Sequence, residues 1–447
     1  MYGWSDRVHH DNHARVSSSA RSSLKLVALI RINERQALHL FDGISHLPRL
    51  RCLLPLLLSI ANCAQTQAAN PHTDPLNFDP SVREAYNLFY NLDYDKALNL
   101  FDKVIVAHPN EPLAYAEDEM VVIFRELYHQ DLLDTTYYAR DSFLTNQRRV
   151  DVPQAVRDRI EYLNDKTASL AEQHLKANSQ DKNALFARGY ARGLHAAFIT
   201  LVDHSFFSAA RQGLAARNDS EAVLKIDPQY VDANMAIGIQ QFAVASLPRF
   251  VRLAVGIAGV GGNKERGLDL LRDSAAHGTV TNVESRTVLS LFLRHDGRYP
   301  EALEVQRSLA TQFPHDYLFR LEEANLAKDE GNGPLAIATY KVVLADAKKS
   351  GFFIDPRLQL AYFGLADTER GQNDIRDAAT HYAAAASQPN CSDWLRKRAD
   401  LNAGEMLDLL EDRQGAIAHY QRAAAPGGDQ TQASIARKLT TSPYRNK

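Results

Sequence analysis

The chain has 447 residues, 45% hydrophobic and 23% charged, the balance of a globular chain that buries a core and not of a disordered one. Its formal net charge of −3 argues against a general nucleic-acid binder, which needs a basic face to neutralise phosphates. The charge is uneven: residues 1–68 hold eight Lys/Arg and four Asp/Glu, a net +4, leaving −7 on the remainder.

Residues 1–47 are Ser-, His- and Arg-rich with weak periodicity and read as a disordered extension or as sequence upstream of the true start. Residues 48–68 follow the order of a secretory signal peptide. Basic Arg49 and Arg51 precede the apolar run Cys52–Ala61, and a small-residue stretch ends at Ala68. That run is too short to span a bilayer, which takes ~20 residues. The expectation is export to the periplasm or cell envelope of a Gram-negative bacterium. Ile60-Ala61-Asn62-Cys63 resembles a lipoprotein cleavage site, although Asn62 is bulkier than the residue expected there, so Cys63 is a secondary candidate for a lipid anchor. Cys391 lies near a helix connection and reads as a half-buried thiol with no disulfide partner.

From residue 78 a two-helix cadence recurs. In 78–111, Ala85 and Leu88 belong to a first helix, Asp93-Tyr94 to a turn, Ala97 and Phe101 to a second helix, and Pro109 stops it. In 283–316 the set is Leu289, Gly297, Tyr299, Ala302 and Pro314, with Gln306 where an aromatic is due. In 317–350 it is Ala324, Gly331, Ala336 and Tyr340, and Ala302 to Ala336 is 34 residues. Residues 358–390 place Gly364, Gly371, Ala378, Tyr382 and Ala385, with a turn two residues longer. Residues 397–430 place Gly404, Leu407, Ala416, Tyr420 and Ala423, and the tail 431–447 holds one short polar helix that serves as a cap. The middle, 112–282, is degenerate. It comprises an aromatic-rich helical stretch over 112–145, a helix over 154–176, a long unit marked by Leu185, Gly189, Ala216 and Pro228, and a new helix with Ile237-Gly238. An apolar insertion, 246–271, replaces the next tight turn, and Asn263 is placed to cap the helix after it.

The spacing of small residues, aromatic and terminal proline resembles the tetratricopeptide (TPR) superfamily over roughly 78–430. That resemblance implies an all-α, right-handed superhelical solenoid of antiparallel helix pairs with a concave groove, spanning 69–430. The ordering around 246–271 is also similar, over about forty residues, to the TPR-built accessory component of periplasmic solute transporters.

Chemical motifs are sparse. Gly256 to Lys264 lacks the spacing of a phosphate loop, and no H-E-x-x-H or G-x-S-x-G occurs. No catalytic residue, metal ligand or cofactor is expected. The pairs Glu117/Glu119 and Glu322/Glu323 read as solvated helix faces, and His195 and His204 as histidines with satisfied hydrogen bonds. A candidate binding region lies between Phe198, His204 and Phe207 on one side and Phe250 and Leu253 on the other. The functional expectation is a non-catalytic scaffold holding a protein or peptide in its groove, with no nucleic acid and no membrane span. The other reading is a transport accessory that binds an apolar or anionic small ligand near 246–271.

Overall fold

A computed structural model describes residues 72–137, 150–247, 261–427 and 430–445. The chain divides into Met1–Ala69 and Asn70–Lys447, and the leader, with Cys63, lies outside the described residues. Seventeen α-helices and no β-strand occur among the described residues. They are α1 Pro80–Phe89, α2 Tyr94–Ala107, α3 Pro112–His129, α4 Gln154–Ala177, α5 Lys182–Leu201, α6 Phe206–Ile226, α7 Asn234–Ser246 and α8 Lys264–His277. They continue as α9 Asn282–His295, α10 Tyr299–Gln312, α11 Tyr317–Asp329, α12 Gly333–Asp346, α13 Leu358–Gly371, α14 Ile375–Ser387, α15 Asp393–Leu409, α16 Arg413–Ala423 and α17 Gln430–Thr441. Each packs chiefly on its neighbours in sequence, as in a solenoid of TPR-like helix pairs.

Local chemistry explains the helix starts. Asp79, Asp181, Asn263, Asp316, Asn332, Ser392 and Asp412 each accept a backbone N–H from the first turn of the following helix. Pro80 and Pro112 occupy first helical positions, where no N–H is needed.

One register relates five pairs. Between the two helices one residue adopts left-handed φ: Leu92 (63°), Gly297 (75°), Gly331 (89°), Asn373 (67°) and Glu411 (64°). Seven residues before it stands a buried residue, small in every pair: Ala85, Ser290, Ala324, Ala366 and Gly404. Five residues after it stands a fully buried alanine: Ala97, Ala302, Ala336, Ala378 and Ala416. Nine residues after it the second helix buries Phe101, Gln306, Tyr340, Tyr382 and Tyr420. Small residues let the paired backbones approach, and the large ones fill the space between pairs.

This register corrects one expectation. The turn of the 358–390 unit is not lengthened: three residues separate α13 from α14, as three separate α11 from α12. Ala366, and not Gly364, takes the small position. Gly364 instead faces the preceding pair, where an added Cβ would lie 2.5 Å from the Tyr340 hydroxyl oxygen.

The degenerate middle includes three longer helices, of 24, 20 and 21 residues in α4, α5 and α6. Most of the apolar 246–271 stretch, with Phe250 and Leu253, lies outside the described residues. Asn263 caps α8 as expected, its Oδ1 accepting from Arg266 N at 3.0 Å. At the other end α17 buries Ala433 and Ala436 against α15 and α16.

Candidate functional site

The first helices of the pairs present polar side chains to the inner face, and that face meets the chain's own N-terminal part. The end of α3 and the segment 130–137 run along α9, α11 and α13. Tyr128 donates to the Asp355 carbonyl at 2.7 Å and receives the Tyr317 hydroxyl at 3.3 Å. Asp131, fully buried in its side chain, accepts from Arg357 Nε at 2.6 Å, Gln359 Nε2 at 2.8 Å and Ser392 N at 3.0 Å. Asp134 accepts from Asn325 Nδ2 at 3.1 Å. Arg294 is 2% exposed. It donates to Thr135 Oγ1 at 2.7 Å, Glu322 Oε1 at 2.9 Å and Asp329 Oδ2 at 2.8 Å, and against burial, which works to lower it, those two carboxylates hold its guanidinium above the usual arginine range. Along α9 to α13 the polar side chains of the first helices are therefore engaged by the protein's own segment 128–135.

This overturns the reading of the acidic pairs as solvated faces. Glu117, Asp118 and Glu119 are all 0% exposed, and Glu322 and Glu323 are 5% and 6% exposed. Three consecutive acids span about 200° of a helix, so a helix packed on both sides must bury at least one. Asp118 pairs with Arg159, and Glu119 accepts from Asn164 Nδ2 at 3.1 Å. Glu323 pairs with Arg307 and Arg320.

Glu117 has a different environment. Its Oε1 accepts from the Tyr86 hydroxyl at 3.3 Å, while its buried Oε2 has no hydrogen-bond partner among the described residues. Tyr86 stacks on Tyr90, centroids 5.9 Å apart, and Tyr90 donates to Glu284 Oε1 at 2.6 Å. Glu284 Oε2 is likewise buried and unpartnered. Tyr190 feels both carboxylates and donates to Met120 Sδ at 3.0 Å. The cluster joins α1, α3, α5 and α9, 194 residues apart between Tyr90 and Glu284. Tyr86, Tyr90 and Glu284 are each half-buried and keep accessible surface where the four helices meet, whereas Glu117 is fully covered.

Acids dominate the electrostatics there, with the Arg286 guanidinium opposing them at Glu284 and Tyr90. Burial, reinforced by Asp74, Glu111 and Glu284, pushes the Glu117 carboxyl far above its usual range. Burial raises Glu284 to about 7 against the hydrogen bond from Tyr90. Burial and Asp74 raise Glu111 to about 7, and burial raises Asp74 to about 6. Arg286 turns its Nη2 to Asn282 Oδ1 at 3.0 Å and Gln312 Oε1 at 2.7 Å.

The residues singled out from sequence fall elsewhere. Phe198 is buried with Ile123, Leu127, Ile160 and Val202, and Arg157 sits over its ring. His204 holds the left-handed turn before α6 (φ 51°), and Phe207 is 96% exposed at the start of that helix. Phe198 points into a core and Phe207 into solvent, so they do not line one pocket. His195 is half-buried, and its Nδ1 has no partner among the described residues, where satisfied hydrogen bonds were expected. Cys391 is more enclosed than expected, and burial pushes its thiol up to about 12. No group of three or more His, Cys, Asp or Glu is placed to hold a metal among the described residues, and no helix there is long and apolar enough to cross a membrane.

The fold defines a class: an all-α solenoid of TPR-like helix pairs whose later pairs pack against its own segment 128–135. No family model and no curated protein sequence matches the chain. Among solved structures, yeast Tom70 is similar at 12% identity, covering 81% of this chain and 88% of its own, with a TM-score of 0.38. A tetratricopeptide repeat protein from Parabacteroides merdae is similar at 15%, covering 72% and 98%, with a TM-score of 0.31. A human IFIT1 dimer with m7Gppp-AAAA is similar at 13%, covering 81% and 82%, with a TM-score of 0.40. At these values the similarity adds nothing to the helix pairing seen directly.

Proposed function

We propose that this protein is an exported, non-catalytic scaffold that docks a segment of a partner protein on the inner face of its helix pairs. Because the protein's own 130–137 segment occupies that face along α9 to α13, the docking point is the cleft between α1, α3, α5 and α9. One observation carries the reading: Glu117 and Glu284 each keep a buried oxygen with no hydrogen-bond partner among the described residues, beside Tyr86, Tyr90 and Tyr190. Leaving such a group unsatisfied costs about 1–3 kcal/mol, so a cleft that retains two of them is suited to an incoming donor. The acidic lining repels phosphate, which agrees with a partner that is not nucleic acid. The export reading rests on the basic and apolar order of residues 49–61.

A transport accessory that holds a free small molecule is the second reading. Enclosure of the cleft by α9 across α1, through the Tyr90–Glu284 bond, favours it, because that enclosure suits a group no larger than a side chain.

Photo-cross-linking in the native host separates the two readings. A cross-linking residue at position 90 should capture one protein partner, and the same residue at exposed position 207 should not. Equal capture at both positions, or none at 90, removes the docking reading.

A further inference from the structure

The segment His72–Phe78, which ends in the 3-10 turn Pro75–Phe78, is tied to elements far along the chain. His72 Nδ1 meets Asp227 Oδ1 at 2.8 Å, and Thr73 Oγ1 donates to Asp232 Oδ2 at 3.3 Å. Thr73 and the Asp74 backbone lie on Tyr230, which is 0% exposed and packs on Phe186 with ring centroids 5.0 Å apart. We infer that this segment is a pH-sensitive strap, closed in acid and released as the Asp74 carboxyl loses its proton. The strap does not depend on the docking reading.

Asp74 is 1% exposed. Its Oδ1 accepts from Leu76 N at 2.9 Å and so caps the turn, while its buried Oδ2 has no hydrogen-bond partner among the described residues. A neutral carboxyl tolerates such burial far better than a charged one. Its neighbours add charge of the same sign. Glu111 and Glu117 act on it from α3, and Asp181 from the cap of α5. Asp227 and Asp232 hold the first two residues of the strap. The cations are committed: Lys182 Nζ to Asp227 at 2.5 Å, and His174 Nδ1 to Asp181 at 3.5 Å. An ionised Asp74 therefore gains by moving into water, and the strap is short enough to move with it while the helices stay packed.

The sign follows from burial. Burial raises Asp74 to about 6, and burial and Asp74 raise Glu111 to about 7. A solvated carboxyl titrates at about 4. The closed strap thus binds the extra protons, so closure is complete below the solvated value and weakens as pH rises through 6 to 7. For Asp74 alone the opening equilibrium grows about tenfold between pH 5 and pH 8.

Hydrogen exchange on the full chain reads this opening, with each rate divided by the unstructured rate at the same pH. Protection of the Leu76, Asn77 and Asp79 amides should fall about tenfold or more from pH 5 to pH 8. Asp74→Asn keeps the capping oxygen and removes the titration, and it should abolish most of that fall. Asp74→Ser, which also retains a capping oxygen, serves if the asparagine variant does not fold. Glu111→Gln should make the fall smaller. His72→Gln alters the other titratable side chain of the strap and should preserve it. Equal protection at both pH values overturns the strap, as does an undiminished fall in Asp74→Asn. Loss of the response in His72→Gln assigns it to the imidazole and overturns the role of Asp74. A fall of the same size at the α13 amides means that the whole fold loosens, which overturns a local release.

Discussion

Arg294 shows how much one buried charge holds. Its guanidinium is 2% exposed and serves Glu322, Asp329, Thr135 and Thr136 at once. Arg294→Ala leaves two carboxylates without their cation, and removing one partner of a buried ion pair costs about 3–5 kcal/mol. A urea midpoint should fall accordingly, and a change under 1 kcal/mol would show the network to be solvated. Buried acids act in the other direction. Asp74 and Asp118 are raised to about 6, Glu111 and Glu284 to about 7, and Asp316 to about 8. For an acid whose pKa is raised on folding, the folded state binds the extra proton. Its contribution is complete below the unfolded value near 4 and disappears as pH rises through 6 to 8. The thermal midpoint should therefore drop between pH 5 and pH 8.

At the scale of the helix pair, the register makes two substitutions informative. Gly364 has no room for a methyl group beside the Tyr340 hydroxyl, which donates to Asn325 Oδ1 at 2.5 Å. Gly364→Ala should cost about 1–3 kcal/mol by overpacking, measured by chemical denaturation. Glu411 holds φ 64° at an exposed turn, a conformation that costs a non-glycine residue about 1 kcal/mol. Glu411→Gly should raise stability by about that amount, and a loss would mean that the side chain has a contact not evident in the fold. The same register explains why these pairs were legible in sequence. Alanine at +5 and tyrosine at +9 from the turn are set by contacts within a pair or with the next one. The polar partners of Tyr340, Tyr382 and Tyr420 on the second helices, Asn325, Asp367 and Asp408, lie only 12 to 15 residues away. Where Leu92 or Glu411 takes the left-handed position instead of glycine, the turn loses its sequence mark although its geometry is kept.

Across the whole molecule, Asp131 joins the early and late repeats through Arg357, Gln359 and Ser392, up to 261 residues away. Asp131→Ala should destabilise by about 3–5 kcal/mol and should speed amide exchange at Thr136 and at the start of α13 together. Exchange confined to residues 130–137 would show that the late repeats do not depend on that contact. The sequence by itself determined the helix-pair architecture, its clear repeats and its C-terminal cap, because those follow from apolar spacing over a few turns. Only the tertiary structure decided that Glu117, Glu322 and Glu323 are buried, that the segment 128–135 packs along α9 to α13, and that Tyr86, Tyr90, Glu117 and Glu284 from distant helices form one cluster. The reason is physical. A helical period states which residues share a face, but whether that face meets water or another part of the chain depends on how the successive pairs bring the first repeats back against the later ones.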